Sequence, residues 1–250
     1  MRRIVKPSHP YGQPDFDRKY LEWGLHDPAT QIKEAKSLLL TVRAERPLRI
    51  LDLACGVGMH AIHWARQGHA VTAVDISEVF IAKGRETADR EGVSVDFRVG
   101  DIRALAYRGQ FDLVTWIENS FFDEPMAAAI RQYIAPGGTF VMDTRNPENA
   151  RCKQRTGNWR TWREKDGIFH LERHETDAAT GLRENVWIEI DPAAEVIREK
   201  RETFRPVTLQ EQMAMLRKAG FTEVRLHTMG GELFAGGEGP YWLWMVGKSG

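Results

Sequence analysis

The residue types best suited to chemistry are acids and glycines in one short run. Asp52-Leu53-Ala54-Cys55-Gly56-Val57-Gly58-Met59-His60 sets a carboxylate four residues before the first of two glycines, and Asp75 closes the next apolar stretch. Glycines at such a pinch let backbone approach a ligand closely, because Gly56 and Gly58 have no Cβ to clash. An acid about 20 residues on can hold ribose hydroxyls. Two kinds of cofactor fit. A pyrophosphate-bearing dinucleotide would use Gly56-Val57-Gly58-Met59-His60-Ala61 as its G-x-G-x-x-G/A turn. A cationic nucleoside without phosphate would use the same turn and Asp75. Asp52 separates the two, because its charge repels a pyrophosphate and attracts a sulfonium or an ammonium.

Further residues extend the pattern: Gly100-Asp101-Ile102, Phe111-Asp112-Leu113-Val114 and Ala135-Pro136-Gly137-Gly138 follow in order. With Asp52 to His60 and Asp75, these five features resemble the class I S-adenosylmethionine-dependent methyltransferases, in particular the small-molecule methyltransferases whose first motif looks like D-x-A-C-G-x-G-x-H. The resemblance covers roughly Asp15 to Lys248. It implies an α/β fold: a Rossmann-like seven-stranded methyltransferase sheet with an N-terminal helical lid and an inserted antiparallel β-sheet. It implies S-adenosyl-L-methionine as cofactor, held by Tyr11, Tyr20, Asp52, Ala54, Cys55, Gly56, Gly58, His60, Asp75, Ile76, Asp101, Ile102, Ile117 and Glu118. In that family the Gly-Asp pair meets the adenine, Asp101 taking its exocyclic amine and Ile102 covering the ring.

The segment after the fourth strand, Ile117-Glu118-Asn119-Ser120-Phe121-Phe122, is expected beside the transferring methyl group, with Asn119, Phe121 and Phe122 facing the acceptor. Many DNA and amide methyltransferases carry Asn/Asp-Pro-Pro-aromatic here. This chain does not, which argues against a flipped base as substrate. Glu118, His170 and His174 are the titratable groups expected near the acceptor, and any of them would serve as a base if the acceptor is a hydroxyl. Trp159, Trp162 and Trp187 are the aromatic candidates for acceptor contact. The alternative for these tryptophans is packing within their own small sheet or at a dimer contact.

The elements that must position these residues alternate. Asp15 to Gly24 and Pro28 to Arg46 carry helical spacing, with Ile32, Ala35, Leu38, Leu39 and Val42 at offsets of three and four. Residues 1–14 are rich in Pro, Gly and polar groups and are expected to be loosely structured unless pinned by ligand. Strands are predicted at 48–53, 70–74, 93–99, 111–116 and 139–143, with helices at 57–67, 78–91 and 124–135 between them. Glycines end the helices, the pattern of a parallel sheet covered on both faces. Four β-rich runs at 161–164, 168–176, 183–190 and 196–204, split by turn residues, read as an antiparallel meander. A helix at 208–219 and strands at 222–227 and 241–246 complete the chain, the final strand antiparallel. The organisation expected is one methyltransferase domain: lid helices 1–46, cofactor-binding core 47–150, β insertion 151–206 roofing the acceptor site, and the rest of the core at 207–250.

Composition narrows the partners. Lys plus Arg and Asp plus Glu are 35 each in 250 residues, so there is no global electrostatic case for nucleic acid or an anionic membrane. No run approaches the roughly 20 apolar residues that span a bilayer. Cys55 and Cys152 alone make no disulfide framework, and without ligand-spaced partners they make no metal site. The expectation is a cytoplasmic monomer or homodimer acting on a small-molecule acceptor, partly aromatic or amphipathic, at nitrogen or oxygen. The alternatives are a protein or RNA methyltransferase, a nicotinamide oxidoreductase, and a non-catalytic cofactor-binding protein.

Overall fold

Ile50-Leu51, Val71 to Val74 and Leu113 to Trp116 are near-continuous apolar runs, and such strands need cover on both faces. They lie at the centre of a seven-stranded sheet. The structure, a computed structural model, describes residues 1–5, 12–23, 27–118, 122–149, 159–165, 167–177 and 179–250. Its chain divides into two units, Tyr11–Asn146 with Leu209–Gly250, and Met1–Pro10 with Pro147–Thr208. Among the described residues no helix is long and apolar enough to cross a membrane.

The larger unit holds helices α1 (Pro14–Trp23), α2 (Pro28–Thr41), α3 (Met59–Arg66), α4 (Glu78–Arg90), α5 (Glu124–Tyr133) and α6 (Leu209–Lys218). Its strands are β2 (Arg49–Leu53), β3 (Ala70–Asp75), β4 (Asp96–Val99), β5 (Phe111–Trp116), β6 (Ile134–Arg145), β11 (Phe221–Thr228) and β12 (Trp242–Ser249). Their order is β11-β12-β6-β5-β2-β3-β4. β2 pairs in parallel with both β3 and β5, so the order reverses at β2. Ligands of open α/β sheets sit beyond the carboxyl ends at such a reversal. β12 runs antiparallel between β6 and β11, as expected.

One face of the sheet packs Leu51, Val114, Trp116 and Phe140 against α5 and α6 through Ile130 and Leu216. The other packs Ile50, Leu113 and Val141 with Ala35, Leu38 and Trp64 of α2 and α3. α2 starts on Asp27, whose carboxylate accepts the Ala29 and Thr30 N–H groups at 3.2 Å each, with Pro28 in the first turn. It stops at Thr41, short of the predicted Arg46. Arg43 is left-handed (φ 51°), and the Ala44 N–H reaches back to Leu39 O. The Trp64 indole N–H donates to Ala35 O at 3.0 Å and the Trp244 indole to Ser37 Oγ at 2.9 Å. The second leading helix is therefore bolted into the core.

Two expectations are corrected. The Pro136-Gly137-Gly138 stretch lies inside β6 as a bulge, between the Phe111↔Ile134 and Leu113↔Thr139 pairs, whereas the strand was predicted to begin at residue 139. A Cβ on Gly138 would lie 2.6 Å from the Ile134 side chain and 3.1 Å from Asp112 O, so only glycine lets the bulged chain pass. The start of the chain is not loose throughout. β1 (Arg2–Val5) pairs in parallel with the stretch from Val196 to Glu199, and backbone pairing overrides the polar composition that predicted a loose start.

That pairing belongs to the smaller unit, a five-stranded sheet ordered β1-β10-β9-β8-β7. β7 (Arg160–Lys165), β8 (Ile168–Thr176), β9 (Arg183–Asp191) and β10 (Val196–Phe204) form the antiparallel meander that the turn residues predict.

At the amino ends of β2 and β5, Asp112 accepts the Arg49 N–H (2.9 Å), its Nε (3.1 Å) and its Nη2 (3.1 Å), and Arg46 adds a bond at 3.3 Å. Arg49 and then Arg46 hold this carboxyl down to about 2 against the effect of burial. A depressed carboxyl stabilises the fold above its unfolded value near 4 and loses that contribution as pH falls through about 2. The arginines are more than half exposed, and solvent screening trims the contribution to about 1–2 kcal/mol. Asp112→Asn should therefore lower urea-unfolding stability by that amount at pH 7. The difference from wild type should shrink towards pH 2; a gap that persists at pH 2 would assign it to packing instead.

Candidate functional site

The chain leaves β2 through three left-handed residues, Ala54 (φ 51°), Gly56 (φ 57°) and Gly58 (φ 72°), and enters α3 at Met59. Cys55 N–H bonds Val74 O at 3.1 Å, and Gly58 N–H bonds Cys55 O at 2.9 Å. The two glycines serve different ends. A Cβ on Gly56 would meet nothing within 4 Å, leaving the backbone open to a ligand, whereas a Cβ on Gly58 would lie 2.4 Å from the Phe97 ring of β4. Gly58 thus sets the packing of turn against sheet.

Asp75, at the carboxyl end of β3, accepts the Gly56 N–H on Oδ2 (2.8 Å) and the Ser77 N–H on Oδ1 (2.9 Å). It ties the glycine turn to the helix cap of α4. Burial raises its carboxyl, opposed by the Ser77 and Gly56 bonds. Asp17 of α1, also buried, adds a like charge and itself accepts the Gly12 N–H at 3.2 Å.

Asp52 is 2 % exposed. Its Oδ1 accepts the Thr115 hydroxyl at 2.8 Å, and its Oδ2 has no hydrogen-bond partner among the described residues. Burial lifts this carboxyl to about 6, against the opposing charge of His60. The His60 Nε2 lies 3.2 Å from Glu34 Oε2 of α2. Burial pulls the imidazole down, but the Glu34 bond and the charges of Asp52, Glu34 and Glu118 outweigh it and leave His60 above its ordinary value.

Asp143 of β6, 8 % exposed, completes the group. Its Oδ1 accepts the Glu118 N–H at 2.8 Å. Burial pushes its carboxyl up to about 7, with Glu118 and Glu34 adding to the rise. Glu118 is exposed and left-handed (φ 61°), a conformation that costs a side-chain-bearing residue about 1 kcal/mol and that the Asp143 bond helps to hold.

The residues expected at the cofactor are thus largely gathered. Asp52, Ala54, Cys55, Gly56, Gly58 and His60 share the β2–α3 turn, Asp75 bonds it, and Ile117 and Glu118 follow β5. Ile76 leaves its apolar side chain half exposed just past Asp75. Asp101 turns to its own loop, bonded by the Arg103 N–H (2.9 Å) and guanidinium (2.7 Å), and Ile102 is partly buried against the core. The Tyr20 ring lies 5.7 Å from Phe80 of α4. Tyr11, Asn119 and Phe121 lie outside the described residues. Phe122 packs in the core, 5.8 Å from the Trp116 ring and 6.3 Å from Phe140.

In the smaller unit, His170 and His174 share one face of β8, and both are buried. The His174 Nδ1 is 2.6 Å from Asn185 Oδ1 and its Nε2 is 3.3 Å from Glu172 Oε2, so both ring nitrogens are engaged. The Trp187 ring is edge-on to His174 at 6.1 Å and carries the Lys200 ammonium 4.6 Å from its centre. Trp159 is exposed under the Arg173 guanidinium. The side chain of Trp162 lies outside the described residues.

Glu34, Asp143, Thr115 and Asp17 are site residues that sequence reasoning missed. Asp143 bore the signal used for Asp75, an acid near the end of an apolar strand. Glu34 sits between Gln31, Ala35 and Leu38, a charge on a buried helical face. A separate groove of about 490 Å³, lined by Arg46, Asp112, Gly138 and Lys248 among others, lies at the opposite ends of the strands. There Asp112 takes up Arg46 and Arg49, and the Lys248 ammonium donates to Thr139 Oγ1.

The arrangement offers an open glycine backbone, an acid bonded to it and a buried carboxylate oxygen without a hydrogen-bond partner among the described residues. The carboxylates around it favour a cation over a phosphate. S-adenosylmethionine meets that description.

A protein-family profile described as a methyltransferase domain matches residues 50–138. The ubiquinone biosynthesis O-methyltransferase of Roseobacter denitrificans is 38% identical over 108 residues, which is 41% of this chain and 44% of that protein. The cypemycin N-terminal methyltransferase of a Streptomyces species is 32% identical over 132 residues, 48% of this chain and 52% of that one. The chain thus spans about half the length of these relatives. The structure of the CcbJ methyltransferase from Streptomyces caelestis superposes with a TM-score of 0.73 at 23% identity, over 98% of this chain and 99% of that one, which shows a shared fold. The segment matched as a methyltransferase domain contains the whole run from Asp52 to Asp101, and the fold is that of a methyltransferase of known structure.

Proposed function

We propose that this protein transfers a methyl group from S-adenosylmethionine to nitrogen or oxygen of a small-molecule acceptor, by in-line displacement. The observation that carries the reading is the buried Asp52 oxygen, unpartnered among the described residues, beside an open glycine backbone and ringed by carboxylates. A dinucleotide pyrophosphate would meet that charge with repulsion. Bound there, S-adenosylmethionine supplies an electrophilic methyl on a sulfonium.

The chain's own residues would bind and orient. Asp75 has lone pairs beyond its two backbone bonds for ribose hydroxyls. Asp52 offers its free oxygen to the ammonium, and Ile76 and Ile102 offer apolar cover to the adenine. Asp101 reaches the adenine amine only by loosening Arg103. Alignment of the acceptor lone pair with the S–CH₃ bond, with water excluded, supplies up to roughly 7–11 kcal/mol. An amine acceptor needs only to be neutral at attack; a hydroxyl needs a base. Glu118 is the candidate for that proton, because it is exposed and its backbone is fixed by Asp143. The assignment of His170, His174, Asn119, Phe121, Trp159, Trp162 and Trp187 to the acceptor rests on the family resemblance, whereas Phe122, given the same role there, is taken up by the core against Trp116 and Phe140. His174 would first have to release Glu172. The relatives' names span an O-methyltransferase and a peptide N-terminal methyltransferase, so amines and hydroxyls both belong in the screen.

Calorimetry with S-adenosylmethionine and with NAD, followed by a screen of amines, phenols and peptide N-termini for S-adenosylhomocysteine release, tests the reading. Tight NAD binding without S-adenosylmethionine binding overturns it. Cofactor binding with no turnover across the screen favours a non-catalytic cofactor-binding protein. Once an acceptor is found, Glu118→Gln should lower kcat about 10²-fold or more if Glu118 moves the proton, with cofactor affinity changed less than about threefold. A kcat near wild type would remove it as the base.

A further inference from the structure

The donor of the proposed reaction carries one positive charge at sulfur, and its product carries none there. The protein surrounds the site with acids and an imidazole from seven places: Asp17 on α1, Glu34 on α2, Asp52 on β2, His60 on α3, Asp75 on β3, Glu118 after β5 and Asp143 on β6. Six are acids, and His60 is the member able to become a cation. Glu34 and His60 are in direct contact, and Asp143 is bonded to the Glu118 backbone. One Asp52 oxygen is buried and unpartnered among the described residues. We propose that Asp143 and Glu34, acting with Asp52, discriminate the sulfonium-bearing donor from its neutral thioether product, and that the group gives up protons to solvent when the donor docks. The proposal rests on the S-adenosylmethionine reading above.

The physical reason is burial. Carboxylates as buried as Asp52 and Asp143, set among further acids, cannot both be fully ionised without large cost, so without ligand the two share a retained proton near neutrality. A docking sulfonium stabilises the ionised forms, and each O–H that breaks sends its proton to the buffer. The thioether offers no such compensation, so the protons return when product replaces donor. Asp52 and Asp143 are held by burial at about 6 and about 7, which places the exchange near neutrality. Asp143 and Glu34 are discriminating residues in this role, with no part in bond making.

The test is calorimetry on the intact protein, with S-adenosylmethionine and with S-adenosylhomocysteine, in two buffers of different ionisation enthalpy. At pH 7 donor binding should release about half a proton more than product binding. The ratio of product Kd to donor Kd should rise about tenfold between pH 5.5 and pH 8.5, the scale of one charge felt through a screened site. Asp143→Asn, which keeps an acceptor for the Glu118 N–H, should flatten that rise to about twofold. Glu34→Gln should do so in part, and comparison with wild type subtracts the ligands' own titration. Equal proton release by the two ligands, or a slope unchanged in both folded variants, overturns the proposal while leaving the cofactor assignment intact. If neither ligand binds wild type, the cofactor reading itself falls.

Discussion

Asp75→Ala should weaken S-adenosylmethionine binding by about 2–3 kcal/mol, a loss of roughly 30- to 150-fold in Kd at 25 °C. Charge-assisted bonds from a carboxylate to ribose hydroxyls account for most of it. The rest follows from the glycine turn, because the same carboxylate holds the Gly56 N–H and the Ser77 N–H. Asp75→Asn separates the two contributions. It keeps one acceptor oxygen but loses the charge, and should fall between wild type and the alanine variant. Calorimetric titration gives the answer directly, and a melting curve of each unliganded variant reports how much of the turn has loosened. Wild-type affinity in Asp75→Ala would remove the ribose assignment.

The largest effect on stability is expected from Gly58→Ala. The added methyl would stand 2.4 Å from Cε1 and 2.6 Å from Cζ of Phe97, and Phe97 is itself packed in the core. The clash has no flexible side-chain end to absorb it, since the same ring edge also lies against Gly84 of α4, where an added Cβ would stand 2.8 Å from Cε1. Overpacking of this kind costs about 1–3 kcal/mol, and alanine at φ 72° adds about 1 kcal/mol. A loss of about 2–4 kcal/mol in urea unfolding is the expected result. Gly58→Ala combined with Phe97→Leu should recover part of the loss, because the shorter side chain vacates the methyl's position. Gly56→Ala, with nothing within 4 Å of the new methyl, should lose only the conformational share. Equal losses in Gly56→Ala and Gly58→Ala would show that Phe97 is not the cause.

The contrast between those glycines shows where sequence reading reached and where it stopped. Spacing identified the turn, because an acid followed by two closely spaced glycines is a local pattern and the physical requirement at each position is local too. It assigned both glycines to the approach of a ligand. Phe97 lies on a strand almost forty residues away, and nothing in the spacing of Gly58 points to it. Most strand and helix positions were legible for the same local reason: near-continuous apolar runs for β2, β3 and β5, and an alternation of turn residues for β7 to β10. β1 was not legible, since Arg2 to Val5 becomes a strand only through pairing with Val196 to Glu199.

The acids divide in the same way. Asp52 and Asp75 stood beside glycines and drew attention. Asp143 closes an equally apolar stretch but follows a glycine pair that reads as architecture, and its importance comes from the Glu118 backbone it binds. Glu34 is one of three charged residues, with Lys33 and Lys36, in a helix already explained by Ala35 and Leu38. Its role appears only once α2 is laid on α3 and His60 is found 3.2 Å away. Convergence of side chains from separate elements is a property of packing, and periodicity along one element carries no record of it.

The place of β12 has a consequence for how the molecule is made. Trp242–Ser249 lies between β6 and β11. Until it is synthesised, β6 has an open edge on that side and β11 has no neighbour in the sheet. On the ribosome the cofactor turn can form early, while closure of the sheet waits for β12, which follows the other six strands of that sheet along the chain. Such non-local pairing is slow, and the apolar edge of Phe140, Val141 and Met142 stays available to other chains meanwhile. Yield on expression should therefore be governed by how quickly this strand is inserted, which makes nascent-chain protection of β6 a natural concern for chaperones.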